Sequence, residues 1–223
     1  MNQNAFILFL KYPERGAVKT RLANVLGDDL TYKLYQCFLA DISAITKQIK
    51  AETIIVYSGP EGISFSDLPR IQCLRQRGNN IGERMHNAFF DVLAQGFERC
   101  VITGSDSPDL PVEIVNEAFY KLESVDAVLG PSTDGGYYLI GCKRQSLRQS
   151  IFKDIHWSTA GVFKETVKRI DEAGLKLALL PQWSDIDEFD DLKKFYERNN
   201  KQSTTSQVMK FLIAKGIINE SRS

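Results

Sequence analysis

The sequence predicts an α/β fold built on a mixed, mostly parallel sheet with helices on its faces, and two observations carry that reading. Short apolar runs alternate with longer segments whose apolar residues recur at helical spacing. Clusters of glycine, aspartate and basic residues fall where the apolar runs end, which is where open α/β sheets bind ligands.

Ala5–Leu10 reads as a buried first strand and Thr53–Ser58 as the second. Ile71–Leu74, Arg99–Thr103, Asp126–Gly130, Tyr137–Gly141 and Lys176–Leu180 are the remaining strand candidates. Between them Asp28–Lys50 carries Leu30, Leu34, Phe38, Ile42, Ile45 and Ile49 at helical spacing. Glu83–Gln95 and Val112–Glu123 continue the alternation, the latter opened by Pro111. Ala160–Ala173 is a helix stopped at Gly174. The polar stretch Asn199–Ser206 is expected to be a linker or exposed turn. It leads to a terminal helix over Gln207–Ile218, which is expected to lie on its own domain or on a second subunit. The division is thus one domain over residues 1–198 and an appendage over 199–223.

The 223 residues carry 28 basic and 28 acidic side chains, a formal charge of zero, with 43% apolar residues. Such a balance argues against a general nucleic-acid binder, which carries a basic face, but leaves room for a small basic phosphate pocket. The longest N-terminal apolar run, Ala5–Leu10, is too short for a signal-peptide core or a membrane span, so a soluble, cytoplasmic protein without membrane attachment is expected. Cys37, Cys73, Cys100 and Cys142 form no close pair and read as reduced thiols. With His86 and His156 as the sole histidines, a metal here would need carboxylate ligands, which points to Mg²⁺ or Mn²⁺.

Five segments can carry chemistry. The first, Lys11 to Leu22, follows a buried strand; Gly16 lets backbone approach an anion, and Lys19 and Arg21 can flank a phosphate chain. It equally suits a solvated basic loop. Gly78, Gly82 and Arg84 can form a nest for a nucleobase or phosphate, although Gly-Asn-Asn at 78–80 is also a good turn. Asp106 sits in a proline-fixed turn after the fourth strand and can hold a hard cation, or simply make an Asx-turn. Asp109, two residues before Pro111, is expected to cap the next helix.

In the fourth segment Asp134-Gly135 between apolar runs signals a hairpin. Gly135 and Gly136 would let a ligand lie against the backbone, and Tyr137 could contact it or belong to the core. In the last, Asp185 and Asp187 flank Ile186, which puts both carboxylates on one face of an extended segment, as a metal ligand and its neighbour. Glu188, Asp190 and Asp191 fit a helix N-terminus.

Taken in order, Gly-x-Val-Lys-Thr-Arg-Leu at 16–22, Gly-x-Asp-Ser-Pro-Asp-Leu at 104–110, Asp-Gly-Gly-Tyr-Tyr at 134–138 and Asp-Ile-Asp-Glu at 185–188 resemble a bacterial family of nucleotide-diphospho-sugar transferases, which includes glycosyltransferases of the arsenosugar-biosynthesis type. The resemblance runs from about residue 5 to residue 195. It implies a single GT-A domain with a Rossmann-like mixed sheet. The chain is also similar to 2-phospho-lactate guanylyltransferase and to molybdenum-cofactor nucleotidyltransferases, which share the basic first loop and a late D-x-D.

The resemblance implies roles. Lys19 and Arg21 match the phosphate-loop cations, with Lys11, Gly16 and Thr20 beside them; Gly78, Gly82 and Arg84 match the base-side loop. Asp106 and Asp187 match the metal aspartates, supported by Asp185, with Mg²⁺ or Mn²⁺ as the cofactor. Asp134, Gly135, Gly136 and Tyr137 match an acceptor-side hairpin. Ile155–Thr159 fits the family pattern, and Trp157 within it would stack a ring of the acceptor or fill the core.

The first loop departs from the Gly-Gly-x-Ser-x-Arg form of sugar nucleotidyltransferases, and Asp-Ile-Asp-Glu replaces the Asp-Ile-Asp-Thr-Pro of many relatives. Those departures spare the metal site and blur the reaction. The expected activity is transfer of a sugar from a nucleotide sugar to a small-molecule acceptor, with Asp134 as base. Nucleotidyl transfer from an NTP, catalysed chiefly by Lys19 and Arg21, is the alternative, and a non-catalytic nucleotide-binding module is a third.

Overall fold

A computed structural model describes residues 3–61, 71–200 and 205–218. The chain runs β1 (Asn4–Lys11), α1 (Thr20–Leu26), α2 (Asp28–Thr46), β2 (Glu52–Ser58), β3 (Gln72–Arg75), α3 (Ile81–Leu93), β4 (Arg99–Gly104), α4 (Val112–Lys121), β5 (Ala127–Pro131), β6 (Tyr137–Lys143), two short 3₁₀ turns, α5 (Val162–Glu172), β7 (Leu177–Leu179), α6 (Phe189–Asn199) and α7 (Gln207–Ala214). Every expected strand forms, within two residues of its expected bounds.

Seven strands make one sheet in the order β3-β2-β1-β4-β6-β5-β7. β6 runs antiparallel to both of its neighbours and every other pairing is parallel. The antiparallel β5–β6 pair is the hairpin that Asp134-Gly135 announced. The interior strand β1 is buried from Ala5 to Leu10 because both sheet faces are covered. Phe6, Leu8 and Leu10 face α2, α4 and α6, whereas Ala5, Ile7 and Phe9 face the layer containing α3 and α5. The chain crosses from β3 back past β1 to β4, so the topological switch lies between the carboxyl ends of β1 and β4.

Helix ends follow local chemistry. α3 opens at Asn80, whose side chain accepts from the Glu83 backbone N–H at 2.9 Å. α5 closes with Gly174 at φ 68°, and the Gly174 and Leu175 N–H groups return to Asp171 and Ile170 in a Schellman arrangement. Glu188 and Asp191 form a capping box on α6, the structural role expected of those acids.

The short α1 was not expected from the sequence; seven residues ended by Gly27 give too little periodicity to separate it from the loop. Asp109 corrects another expectation. α4 has Pro111 as its N-cap without a side-chain cap, and Asp109 reaches instead across to α6. Its carboxylate accepts from Arg198 Nε at 2.6 Å, Arg198 Nη2 at 2.8 Å and Asn199 Nδ2 at 2.7 Å. A charge-assisted fork from a well-covered guanidinium outcompetes a single backbone N–H.

α7 lies on α2. Asp41 accepts from the backbone N–H groups of Gln207 and Val208 and from the Ser206 hydroxyl. Val208, Met209 and Leu212 enter the same core as β1. The expected linker Asn199–Ser206 has residues 201–204 outside the described ones. All four cysteines are free thiols, Cys100 and Cys142 buried opposite one another on β4 and β6. Among the described residues no helix is long and apolar enough to cross a membrane.

Candidate functional site

Two cavities open at the switch point and adjoin. One, of about 380 Å³, is walled by Lys11, Lys19, Thr20, Ser58, Gln76 and Arg84. The other, of about 600 Å³, is walled by Asp134, Gly136, Tyr137, Trp157, Asp185 and the Ser158–Ala160 backbone. Phe9, Ile81, Asp106 and Asp187 line both and form the seam between them. Arg21 faces the larger cavity. Gly16, Gly78, Gly82 and Gly135 line neither.

The basic loop is held against the carboxylates. Lys19, the residue before α1, has a left-handed backbone at φ 47°, ψ 48°, unusual for a residue with a side chain. Its side chain is 7% exposed, and its ammonium donates to Asp106 Oδ1 at 2.5 Å and to the Ile186 carbonyl at 2.5 Å. Arg21 Nη1 contacts Asp187 Oδ2 at 3.0 Å and Glu188 Oε1 at 3.3 Å. Lys11 Nζ donates to the Ala17 carbonyl, and Arg84 Nε donates to the Gly78 carbonyl at 3.1 Å.

Backbone contacts fix the acidic side. The Ile186 N–H donates to the Asp106 carbonyl at 2.8 Å, with Ile186 wholly buried, so the late acidic segment is fastened to the turn after β4. Asp185 accepts from Ser132 Oγ at 3.1 Å. Burial raises the Asp185 pKa above the usual carboxylate range, and the charges of Asp134 and Asp106 push it further. Asp134 Oδ1 accepts from the Gly136 N–H at 2.9 Å, which fixes that carboxylate at the hairpin tip.

Two glycines shape the larger cavity from behind. A Cβ on Gly82 would stand 2.4 Å from the Trp157 ring, so the bare α-carbon of α3 lets the indole pack against it. Gly135 has φ +92°, and a Cβ there would stand 2.3 Å from the Ala160 carbonyl oxygen. The room that the Gly-Gly pair offers is therefore filled at Gly135 by the protein's own loop, whose Phe163 N–H donates to the Gly135 carbonyl at 2.9 Å. That loop is further pinned by Glu165, which accepts from the His156 backbone N–H at 2.7 Å and contacts His156 Nδ1 at 3.0 Å. Both tyrosines line the cavity; Tyr137 touches Met85 Sδ through its hydroxyl, and Tyr138, buried in the core, donates to the Pro181 carbonyl at 2.7 Å.

Sequence reasoning did not single out Tyr35, Ile81 or Arg198. The Tyr35 hydroxyl bridges the Lys11 carbonyl and Ser105 Oγ, both at 2.9 Å, and ties the end of β1 to the Asp106 turn; burial raises its pKa. Arg198 donates to the Ser184 carbonyl at 3.2 Å and stacks on Trp183, which supports the segment carrying Asp185 and Asp187. Ile81 is a partly exposed apolar residue at the first position of α3, and that placement in an otherwise polar loop is a signal the sequence did offer.

Comparison with known proteins places this site in context. A family model described as "Uncharacterized protein conserved in bacteria (DUF2064)" matches residues 41–159. No curated protein matches the chain. The crystal structure of a candidate nucleotide-diphospho-sugar transferase from Desulfovibrio desulfuricans G20 superposes with a TM-score of 0.92 at 35% identity, covering 97% of this chain and 96% of that one. A nucleotidyl transferase from Methanothermobacter has a TM-score of 0.61 at 13% identity, covering 91% of this chain and 100% of its own. A Mycobacterium tuberculosis H37Rv protein in complex with manganese has a TM-score of 0.52 at 13% identity, covering 87% and 98%. The two distant likenesses bear on the fold alone, whereas the family match spans more than half of this sequence and the Desulfovibrio match nearly all of it. The chain belongs to the DUF2064 family of bacterial proteins.

Proposed function

We propose that the protein is a metal-dependent transferase that moves a sugar from a nucleotide-diphospho-sugar to a small acceptor. The observation that carries this reading is the pair of adjoining cavities, one with cationic walls and one with acidic and aromatic walls, that share Asp106 and Asp187 at their seam. A nucleoside diphosphate suits the first, where Lys11, Lys19 and Arg84 face its negative charge. A sugar and its acceptor suit the second, where Trp157 and Tyr137 offer ring faces and Asp134 offers an acceptor for hydroxyls. The transferred bond then lies at the seam. The Desulfovibrio relative, named as a candidate nucleotide-diphospho-sugar transferase, supports the same reading.

The seam suits a hard divalent cation. Asp185 is half-buried beside two further carboxylates, an arrangement that a cation relieves, and an ammonium already rests on Asp106 and the Ile186 carbonyl. Among the described residues no three His, Cys, Asp or Glu side chains gather into a closed metal site. A cation at the seam would therefore rest on Asp106 and Asp187, with Asp185 nearby, and would need phosphate oxygens to complete its ligands. Bound there, Mg²⁺ or Mn²⁺ would supply neutralisation of charge on the departing diphosphate.

This chain's own residues do the rest. Lys19 and Arg21 stabilise the diphosphate as its C–O bond to the anomeric carbon breaks and the oxygen keeps the electron pair. Asp134, fixed by the Gly136 N–H, takes the proton of the acceptor hydroxyl as its oxygen bonds to that carbon.

A second reading, nucleotidyl transfer, draws on the depth of Lys19 beside the seam, where the α-phosphorus of an NTP would stand. Product analysis separates the two. Incubation with nucleotide sugars is expected to release a nucleoside diphosphate in step with consumption of the acceptor. Release of pyrophosphate from an NTP instead would establish the second reading. Neither product from any donor would leave a non-catalytic nucleotide-binding module.

A further inference from the structure

The contacts of Lys19 point beyond a phosphate-binding role. Its side chain walls the smaller cavity, yet its ammonium is already engaged. It sits on two oxygens, Asp106 Oδ1 and the Ile186 carbonyl, each at 2.5 Å, and Ile186 stands between Asp185 and Asp187. Those oxygens come from the turn after β4 and from the late acidic segment, the two pieces whose carboxylates border the seam. A carboxylate and a carbonyl oxygen from converging segments form a seat for a hard cation. Residue 19 adopts a left-handed backbone conformation, which is unusual for a residue with a side chain. The side chain is nearly fully covered and passes Phe38, with its nitrogen 5.9 Å from that ring centroid. Arg21 repeats the pattern beside it, with Nη1 on Asp187 and Glu188.

We propose that Lys19 is an internal cation that occupies the divalent-metal seat of the ligand-free protein and leaves it when a diphosphate arrives. This deepens the transferase reading and rests on it. In the resting state the ammonium balances Asp106. When a diphosphate enters, the ammonium transfers to a phosphate oxygen and Asp106 Oδ1 is free for the metal. Metal and diphosphate then bind with positive coupling, because each removes a competitor that the other faces. By linkage the gain is reciprocal. A metal offered alone sees only the fraction of molecules in which the ammonium has left, so its apparent affinity is lowered by that fraction.

The inference predicts an inverted effect. Lys19→Met removes the ammonium and keeps an unbranched stem up to its last carbon, so the full-length variant without any nucleotide is expected to bind Mn²⁺ at least tenfold more tightly than the wild type. Titration calorimetry, or the electron paramagnetic resonance of free Mn²⁺, reads the constant directly. Thermal melting of the metal-free variant checks that it folds. If its melting is disturbed, Lys19→Leu gives the same comparison with a shorter neutral side chain that offers no metal ligand. Adding Asp106→Asn to Lys19→Met is expected to abolish the gain. An Mn²⁺ affinity in the folded variant equal to or weaker than that of the wild type would overturn the inference, as would a gain that survives Asp106→Asn. No nucleotide or turnover enters the measurement, so failure of the transferase reading would show separately, in the product analysis.

Discussion

Asp106→Asn is expected to lower kcat by about a thousandfold or more, roughly 4 kcal/mol of transition-state stabilisation. The substitution keeps the volume and removes the charge of a carboxylate that lines both cavities and receives the Lys19 ammonium. Its side chain is 47% exposed, so the lost ion pair is screened and stability should change by no more than about 1 kcal/mol. Steady-state kinetics beside a melting curve check both halves. A variant that retains a tenth of wild-type turnover would remove Asp106 from the chemistry. A large fall in melting temperature would mean that the carboxylate serves the fold instead.

Gly135→Ala should act through structure. The substitution places a Cβ 2.3 Å from the Ala160 carbonyl at a backbone φ of +92°. A positive φ costs an alanine about 1–2 kcal/mol, and forcing an atom into filled space typically costs about 1–3 kcal/mol more. A combined loss of about 3 kcal/mol corresponds to a melting temperature lower by roughly 6–12 °C for a chain of this size. The hairpin tip and the Ser158–Ala160 wall must separate to relieve the contact, so the KM for the acceptor should rise more than the KM for the donor. A stability within about 0.5 kcal/mol of wild type would show that the two loops are not in contact.

The strands were legible in the sequence because each is a short apolar run closed by polar or glycine residues, and a sheet covered on both faces demands such runs. The hairpin was legible because Asp134-Gly135 is a local signal. So was the α6 N-terminus, where Glu188 and Asp191 are three residues apart and cap one another. The features that escaped depend on partners far along the chain. Asp109 looked like a cap because Pro111 is adjacent, yet its partner Arg198 lies 89 residues away. Gly135 looked like room for a ligand, yet that room is closed by Ala160. Lys19 and Asp106 were each singled out as site residues from their own loops. No local pattern indicates that the ammonium of one rests on the carboxylate of the other. Residue type and position along a strand end are written locally, whereas the pairing of charges across a cleft is decided by the fold.

The proposed transfer requires a cleft that binds a metal and a nucleotide together. Its most direct test is the melting temperature of the full chain across a panel of nucleotide sugars and NTPs, each with and without Mn²⁺. A ligand at a hundred times its dissociation constant adds about 2.7 kcal/mol to stability, which such a scan resolves readily. The account predicts a rise with one nucleotide sugar that requires Mn²⁺ and disappears in Asp106→Asn. A panel without any shift, or a shift of equal size with and without metal, would contradict it.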